Sequence, residues 1–354
     1  MSKIFINGLG CISAQKTFDS LFLEESAVNE VDTVLPINQP VYKDFISPAA
    51  SRRMAKGVKN GIVASTLALR EAQLETVDAI ITGTGMGCIE DSEKFLKAIL
   101  DNNEEFLTPT SFIQSTHNTV GGQIALGLQC KAYNLTYVNG SISFESALFD
   151  AKMMMDENDA SSVLVGGIDE TADYTMSLFR LAGFVKNENQ GLDSFLKSIT
   201  KGAVQGEGAA FFVVEKEKKA ATIAAVLDVE ILNILEIDKI ENKISSFLAF
   251  NNLKLTDIDA VVLGYNGDVD SDLYYKDLSE VTFADIPQIY YKHLSGEYNT
   301  ASAFGLWVGA KIIQTQSIPD IVKVNTIDKE TYNTILLYNQ RNGIDHSFTL
   351  ISSC

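Results

Sequence analysis

Apolar residues recur along this chain in two rhythms. Short runs dense in Val, Ile, Leu and Phe alternate with longer stretches of helical repeat, the pattern of an α/β protein whose strands are buried on both faces. One set of strand-like runs lies at Lys3–Asn7, Ala79–Thr82, Leu135–Val138, Ser162–Val165 and Ala210–Val214. A second set lies at Leu227–Leu232, Ala260–Leu263, Gln288–Tyr291, Thr334–Leu337 and Phe348–Ser352. The lysine-rich EKEKKA at Glu215–Ala220 marks a surface crossing between them, which predicts two halves, 1–217 and 218–354. Between the strands the pattern predicts a helix over Ser51–Gln73, with serine at its start, and buried helices over Ser143–Met155 and Thr300–Gln314. Each of the last two follows a short Gly- or Asn-containing turn after a strand, so its first N–H groups can face a crevice at the strand ends.

Composition narrows the picture. The 354 residues suffice for two ordinary domains or one large duplicated one, and 46% hydrophobic with 21% charged residues describes a folded, soluble protein. The net charge of −18 repels phosphate backbones and anionic lipid heads, which argues against a nucleic-acid or membrane partner. No run approaches the roughly 18 apolar residues of a membrane span, and MSKIFINGLGCISA lacks the order of a signal peptide, so a cytoplasmic location is expected. Cys11, Cys88, Cys130 and Cys354 form no C-x-x-C pair and only three histidines are present, so neither a metal centre nor a disulfide framework is expected, and no cofactor is implied.

Two glycine-containing turns invite chemistry. GTGMG at Gly83–Gly87 suggests a dinucleotide turn, but Cys88 stands where the third glycine belongs and Glu90 and Asp91 would face the phosphates, so close packing of a turn is the better reading. At Tyr137–Ala147, Gly140 precedes Ser141 at a bend leading into a helix, where a nucleophile would stand; yet Asn139 and Ser143 occupy the glycine positions of the hydrolase elbow, and a serine without a base is a helix cap.

The segments TPTSFIQSTHNTVGGQIA at Thr108–Ala125, the elbow at Asn134–Ala151, GGIDE at Gly166–Glu170 and GEGA at Gly206–Ala209 follow one another in an order that resembles the β-ketoacyl-acyl-carrier-protein synthases. Asn7–Gly10, Ser51–Met54 and Gly83–Gly87 fall in the same order. The resemblance implies a thiolase-like fold: two similar α/β halves in a duplicated five-layer αβαβα architecture, normally paired into a dimer.

The family works with a cysteine and two histidines. By resemblance the cysteine position falls on Ser141, the first histidine on Asn266 and the second on Glu297, while the family's lysine is kept as Lys292. The late glycine-rich loop is replaced by Tyr338–Asp345. A hydroxyl is far less acidic than a thiol, whose pKa is about 8.5. Asn266 can donate a hydrogen bond but cannot shuttle a proton, and Glu297 would set negative charge beside an oxygen that must become anionic. His293 and His117 are the histidines that could serve Ser141, the first if it shares a helical face with Glu297. Phe144, Phe112 and Met86 could line or plug a pocket there.

Arg52, Arg53, Lys56 and Lys59 gather basic groups on one face of the predicted helix, and the first three fall where the synthases grip an acidic carrier protein. The expectation is a non-catalytic or weakly catalytic subunit of chain-length-factor type. It would pair with an active synthase, bind acyl carrier protein, and act in fatty-acid or polyketide-type chain elongation, with similarity to the synthase-like proteins of aryl-polyene pathways. The alternatives are acyl transfer or malonyl decarboxylation through Ser141, and a homodimeric carrier-binding module.

Overall fold

The computed structural model describes residues 3–18, 22–23 and 30–354. In the first half the principal elements are β1 (Ile4–Ile12), α1 (Lys56–Ala72), β2 (Ala79–Gly83), α2 (Ile89–Asp101), α3 (Pro109–Ser115), α4 (Thr119–Leu128), β3 (Tyr133–Tyr137), α5 (Ser143–Glu157), β4 (Ser162–Asp169), α6 (Asp173–Leu181) and β5 (Gly208–Glu215). The second half continues with β6 (Ala224–Asn233), α7 (Ile240–Phe250), β7 (Ala260–Leu263), α8 (Val269–Asp277), β8 (Gln288–Tyr290), α9 (Lys292–Ser295), α10 (Ala301–Thr315), β9 (Thr334–Arg341) and β10 (Asp345–Ser352).

All ten apolar runs are strands of one sheet, ordered β8-β7-β9-β10-β6-β1-β5-β4-β2-β3. The order contains a repeat. Counting from the first strand of each set, both β1–β5 and β6–β10 run third, second, fourth, fifth, first, and the sets abut where β1 pairs antiparallel with β6. Pair directions repeat as well: β2 is parallel to β3 and β4, as β7 is to β8 and β9, and the remaining pairs within each set are antiparallel.

The apolar faces sort the helices into layers. On α5, Phe144, Ala147, Leu148, Ala151 and Met155 are buried, the i, i+3, i+4 spacing of an inward stripe. With the almost wholly buried α10 they form one cluster with both sets of strands. The faces of β1, β4 and β5 turned away from it pack on α1 and α4 through Val63, Ala64, Ala68, Val120 and Ile124. Helices α7 and α8 cover β7 and β9 on the opposite side. This is the thiolase-like five-layer architecture that the resemblance implied.

The predicted helix over Ser51–Gln73 differs in one respect. A short helix, Pro48–Ser51, capped by Ser47, is followed by a break, and α1 begins only at Lys56. Tertiary acceptors start the second helix: Gln114 Oε1 takes the N–H of Ala55 and Glu170 takes that of Gly57. Arg52 and Arg53 therefore lie in an exposed turn, separate from the helical face that carries Lys56 and Lys59.

Candidate functional site

Four turns carry the residues singled out by the sequence. Ser141 lies on the single 3-10 turn before α5, braced by Ser143, whose Oγ accepts the N–H of Asn139 and donates to the carbonyl of Gly140. Asn266 follows β7, with its N–H and that of Gly267 on the carboxylate of Asp272, each at 3.0 Å. Burial pushes Asp272 up to about 7. Lys292 opens α9, and Glu297 follows it in a turn bridged to Gln205 by backbone pairing. Gly206 makes that approach possible, because a Cβ there would lie 2.1 Å from the carbonyl oxygen of Ser295. The fourth turn joins β9 to β10 through Asn342 and Gly343, both at positive φ, which suits a tight hairpin of Asn-Gly type.

Asn266, Lys292 and Glu297 converge. Oε2 of Glu297 accepts from Asn266 Nδ2 at 2.9 Å and from Lys292 Nζ at 2.8 Å, and all three residues are buried. Ser141 does not hydrogen-bond to this trio among the described residues. Its Oγ donates to Asp345 Oδ2 at 2.6 Å, a length usual for a hydroxyl on a carboxylate. Asp345 is the residue that sequence reasoning missed. The signal was Asn342-Gly343 between two apolar runs, a hairpin turn that places Asp345 directly after the bend.

The histidines sit elsewhere. His293 is fully buried, stacked on Tyr290 at 3.8 Å between ring centres, with Nε2 on the carbonyl oxygen of Ile321. Burial lowers its pKa to about 3. The helical face shared with Glu297 is not formed, since α9 ends at Ser295 and Gly296 turns the chain. His117 is exposed beside Gly87. Two small cavities, one of about 10 Å³ lined in part by Phe144, Glu145 and Ser302, and one of about 20 Å³ lined in part by Met86, Glu297 and Arg341, each suit a single water. Phe112 is largely exposed and lines neither.

The remaining motifs hold the frame. Asp169 accepts five hydrogen bonds, from Thr84 Oγ1, from the N–H groups of Gly85 and Met86, and from the N–H and hydroxyl of Thr300 at the start of α10. Gly85 is pressed against Asn299, where a Cβ would lie 1.9 Å from the side-chain amide, so the GTGMG turn packs on the protein itself. Glu170 binds the N-terminal N–H groups of α1 and α2 at Gly57 and Glu90, and burial pushes it up to about 7. Glu207 of the GEGA segment pairs with Lys56 at 2.7 Å and takes the N–H and hydroxyl of Thr171. Of the basic residues, Lys56 thus has its charge matched, while Arg52 and Arg53 stand in solvent. The Cys11 thiol, buried in the core, is pushed up to about 12, and burial raises Cys88 further. Among the described residues no helix is long and apolar enough to cross a membrane.

Known proteins share this architecture. Residues 27–180 match the family described as "Beta-ketoacyl synthase, N-terminal domain". The "3-oxoacyl-[acyl-carrier-protein] synthase 2" of Staphylococcus aureus (strain N315) is 22% identical over 257 residues, 65% of this chain and 61% of the relative, so the chain spans less than two thirds of that protein's length. Among solved structures, "The ishigamide ketosynthase/chain length factor" superposes with a TM-score of 0.80 at 17% identity, covering 99% of both chains. A beta-ketoacyl synthase from Burkholderia phymatum STM815 gives 0.82 at 15% identity over 100% of both. A ketosynthase (ApeO) in complex with its chain length factor (ApeC), from Xenorhabdus doucetiae, gives 0.77 at 11% over 99% of this chain and 98% of that one. At such identities the superpositions establish the fold. The chain is thus similar to the β-ketoacyl synthases over residues 27–180 and has the ketosynthase fold over its whole length.

Proposed function

We propose that this chain is a non-catalytic β-ketoacyl synthase-like subunit of chain-length-factor type, with halves dividing near residue 217. It pairs with an active synthase in fatty-acid or polyketide-type elongation, with an aryl polyene as the product class. The observation that carries the reading is that Asn266 and Lys292 both donate to the buried carboxylate of Glu297, and the cavity that Glu297 borders, about 20 Å³, suits a single water; by the resemblance, Asn266 and Glu297 stand where the family has its two histidines. The donors at that point are turned to a fixed carboxylate, and negative charge there disfavours an oxygen that must become anionic.

The surface supports a partner. Strand β3 is an open edge of the sheet, and Leu135, Val138 and, on the neighbouring α4, Leu126 stand exposed there. Such an edge with apolar neighbours favours a covering chain. Arg52 and Arg53 offer an acidic carrier protein a local positive site on a molecule of net charge −18.

Co-expression with a cysteine-containing synthase homologue tests the pairing. A stable mixed dimer whose product length shifts with substitutions at the shared pocket supports it. Persistent homodimers without affinity for such a synthase overturn it and favour the homodimeric carrier-binding module.

Asp345 favours a second reading, acyl transfer through Ser141. The Ser141 hydroxyl would attack a thioester carbonyl while its proton passes to Asp345 and then to the departing thiolate, forming an ester as the C–S bond breaks. Mass spectrometry after incubation with acyl-carrier protein decides it: an adduct on Ser141, lost in Asp345→Asn, establishes this chemistry, and an unmodified chain excludes it.

A further inference from the structure

Asn266 and Lys292 aim their donors at one buried point. The orientation of the Asn266 amide is set from behind: its Oδ1 accepts the N–H of Asp268 at 2.9 Å, which leaves Nδ2 toward Glu297. The Lys292 ammonium lies against Gly264, where a Cβ would come within 3.4 Å of Nζ. One ammonium and one amide N–H, both shielded from water, make a donor set suited to a carboxylate. The carboxylate that occupies it comes from the turn that follows α9, whose backbone is pinned by Glu297 N–H on the carbonyl of Val204 and Gly206 N–H on the carbonyl of Glu297. The occupant's backbone is therefore held by hydrogen bonds besides those that its carboxylate makes to the two donors.

We propose that Asn266 and Lys292 form a carboxylate-binding seat that Glu297 fills in cis, holding free short-chain carboxylates out of the crevice. The atoms of Glu297 beyond Cβ are those of acetate, so Glu297→Ala opens a space of that shape between the two donors. The cavity of about 20 Å³ that Glu297 already borders adjoins this space. The inference rests on reading the crevice as self-occupied. It needs no second subunit, so its failure and a failure to pair with a synthase are separate outcomes.

The test is thermal unfolding of the purified chain in acetate, formate, propionate or chloride at constant ionic strength. Acetate is expected to raise the midpoint of Glu297→Ala saturably, by about 2 °C at tenfold its dissociation constant. Formate and propionate should do so more weakly, and the wild-type protein and the Lys292→Met/Glu297→Ala double variant should show no acetate-specific shift. Equal responses to acetate and chloride in Glu297→Ala, or an equal acetate response in the wild type, would overturn the proposal. Should Glu297→Ala fail to fold in chloride, its refolding yield is read instead: acetate-dependent recovery supports the seat, and none in acetate refutes it. Glu297→Gln, which keeps the space filled, is expected to ignore acetate, and a response there also refutes it.

Discussion

Two aspartates tie the halves of this molecule together at the starts of matching helices, α10 and α5, and they do so very differently. Asp169, at the end of β4 in the first half, holds the start of α10 in the second through Thr300. Asp345, at the start of β10 in the second half, holds the turn before α5 in the first through Ser141. Asp169 is almost wholly buried and takes five hydrogen bonds; Asp345 is half-buried, taking the Ser141 hydroxyl at 2.6 Å and a long contact from Asn233 at 3.4 Å. The donors on Asp169 lose their partners if it is removed, whereas water can replace Asp345. One tie belongs to the frame and the other to the site.

The largest effect should follow from breaking the buried tie. Asp169→Ala strands backbone N–H groups at the glycine turn and at the head of α10, and a loss on the order of 4 kcal/mol is expected in urea unfolding. A loss under about 1 kcal/mol would erase the distinction between the two aspartates.

Next in size is a pH effect at the neighbouring carboxylate. Burial raises Glu170 from 4.5 to about 7 in the folded state, against the opposing pull of the Gly57 and Glu90 N–H groups and of Lys56. The folded protein holds that proton more tightly than the unfolded chain does, so the contribution is fully present below about pH 4.5 and is lost as pH rises through 7. The difference is roughly 3 kcal/mol, with stability higher near pH 5 than near pH 8 as far as this group decides it. Asp272, also near 7, acts in the same direction. Glu170→Gln should flatten this fall in stability between pH 5 and pH 8, measured by chemical unfolding at a series of pH values, and an unchanged slope would assign the effect elsewhere.

The sequence shows the frame more clearly than the site because the two are encoded differently. Apolar runs report burial directly, and all ten became strands, Ala260–Leu263 at its predicted bounds. The helices Ser143–Met155 and Thr300–Gln314 were displaced by no more than two residues at either end, since their small and apolar faces are continuous. The break before Lys56 was invisible, because its cause is Gln114 and Glu170, far along the chain. Asn266, Lys292 and Glu297 could be aligned with the family's positions, but their mutual hydrogen bonds depend on turns brought together only by the fold. Asp345 was hidden for the same reason, 204 residues from the serine it meets.

The smallest effect should come from the tie at the site, where the comparison of the two aspartates is sharpest. Ser141→Ala removes the hydroxyl and leaves Asp345 half-buried, able to recruit water, so the cost should be about 1 kcal/mol, well below that of Asp169→Ala. Asp345→Asn keeps the shape and removes the charge, replacing a charge-assisted bond with an ordinary one, and should cost about the same. If the two side chains serve only each other, the Ser141→Ala/Asp345→Asn double variant is no less stable than the worse single one, because the second change finds nothing left to break. Additive losses would instead mean that Asp345 draws its stabilisation from Asn233 and the hairpin, leaving Ser141 as a cap for the turn that precedes α5.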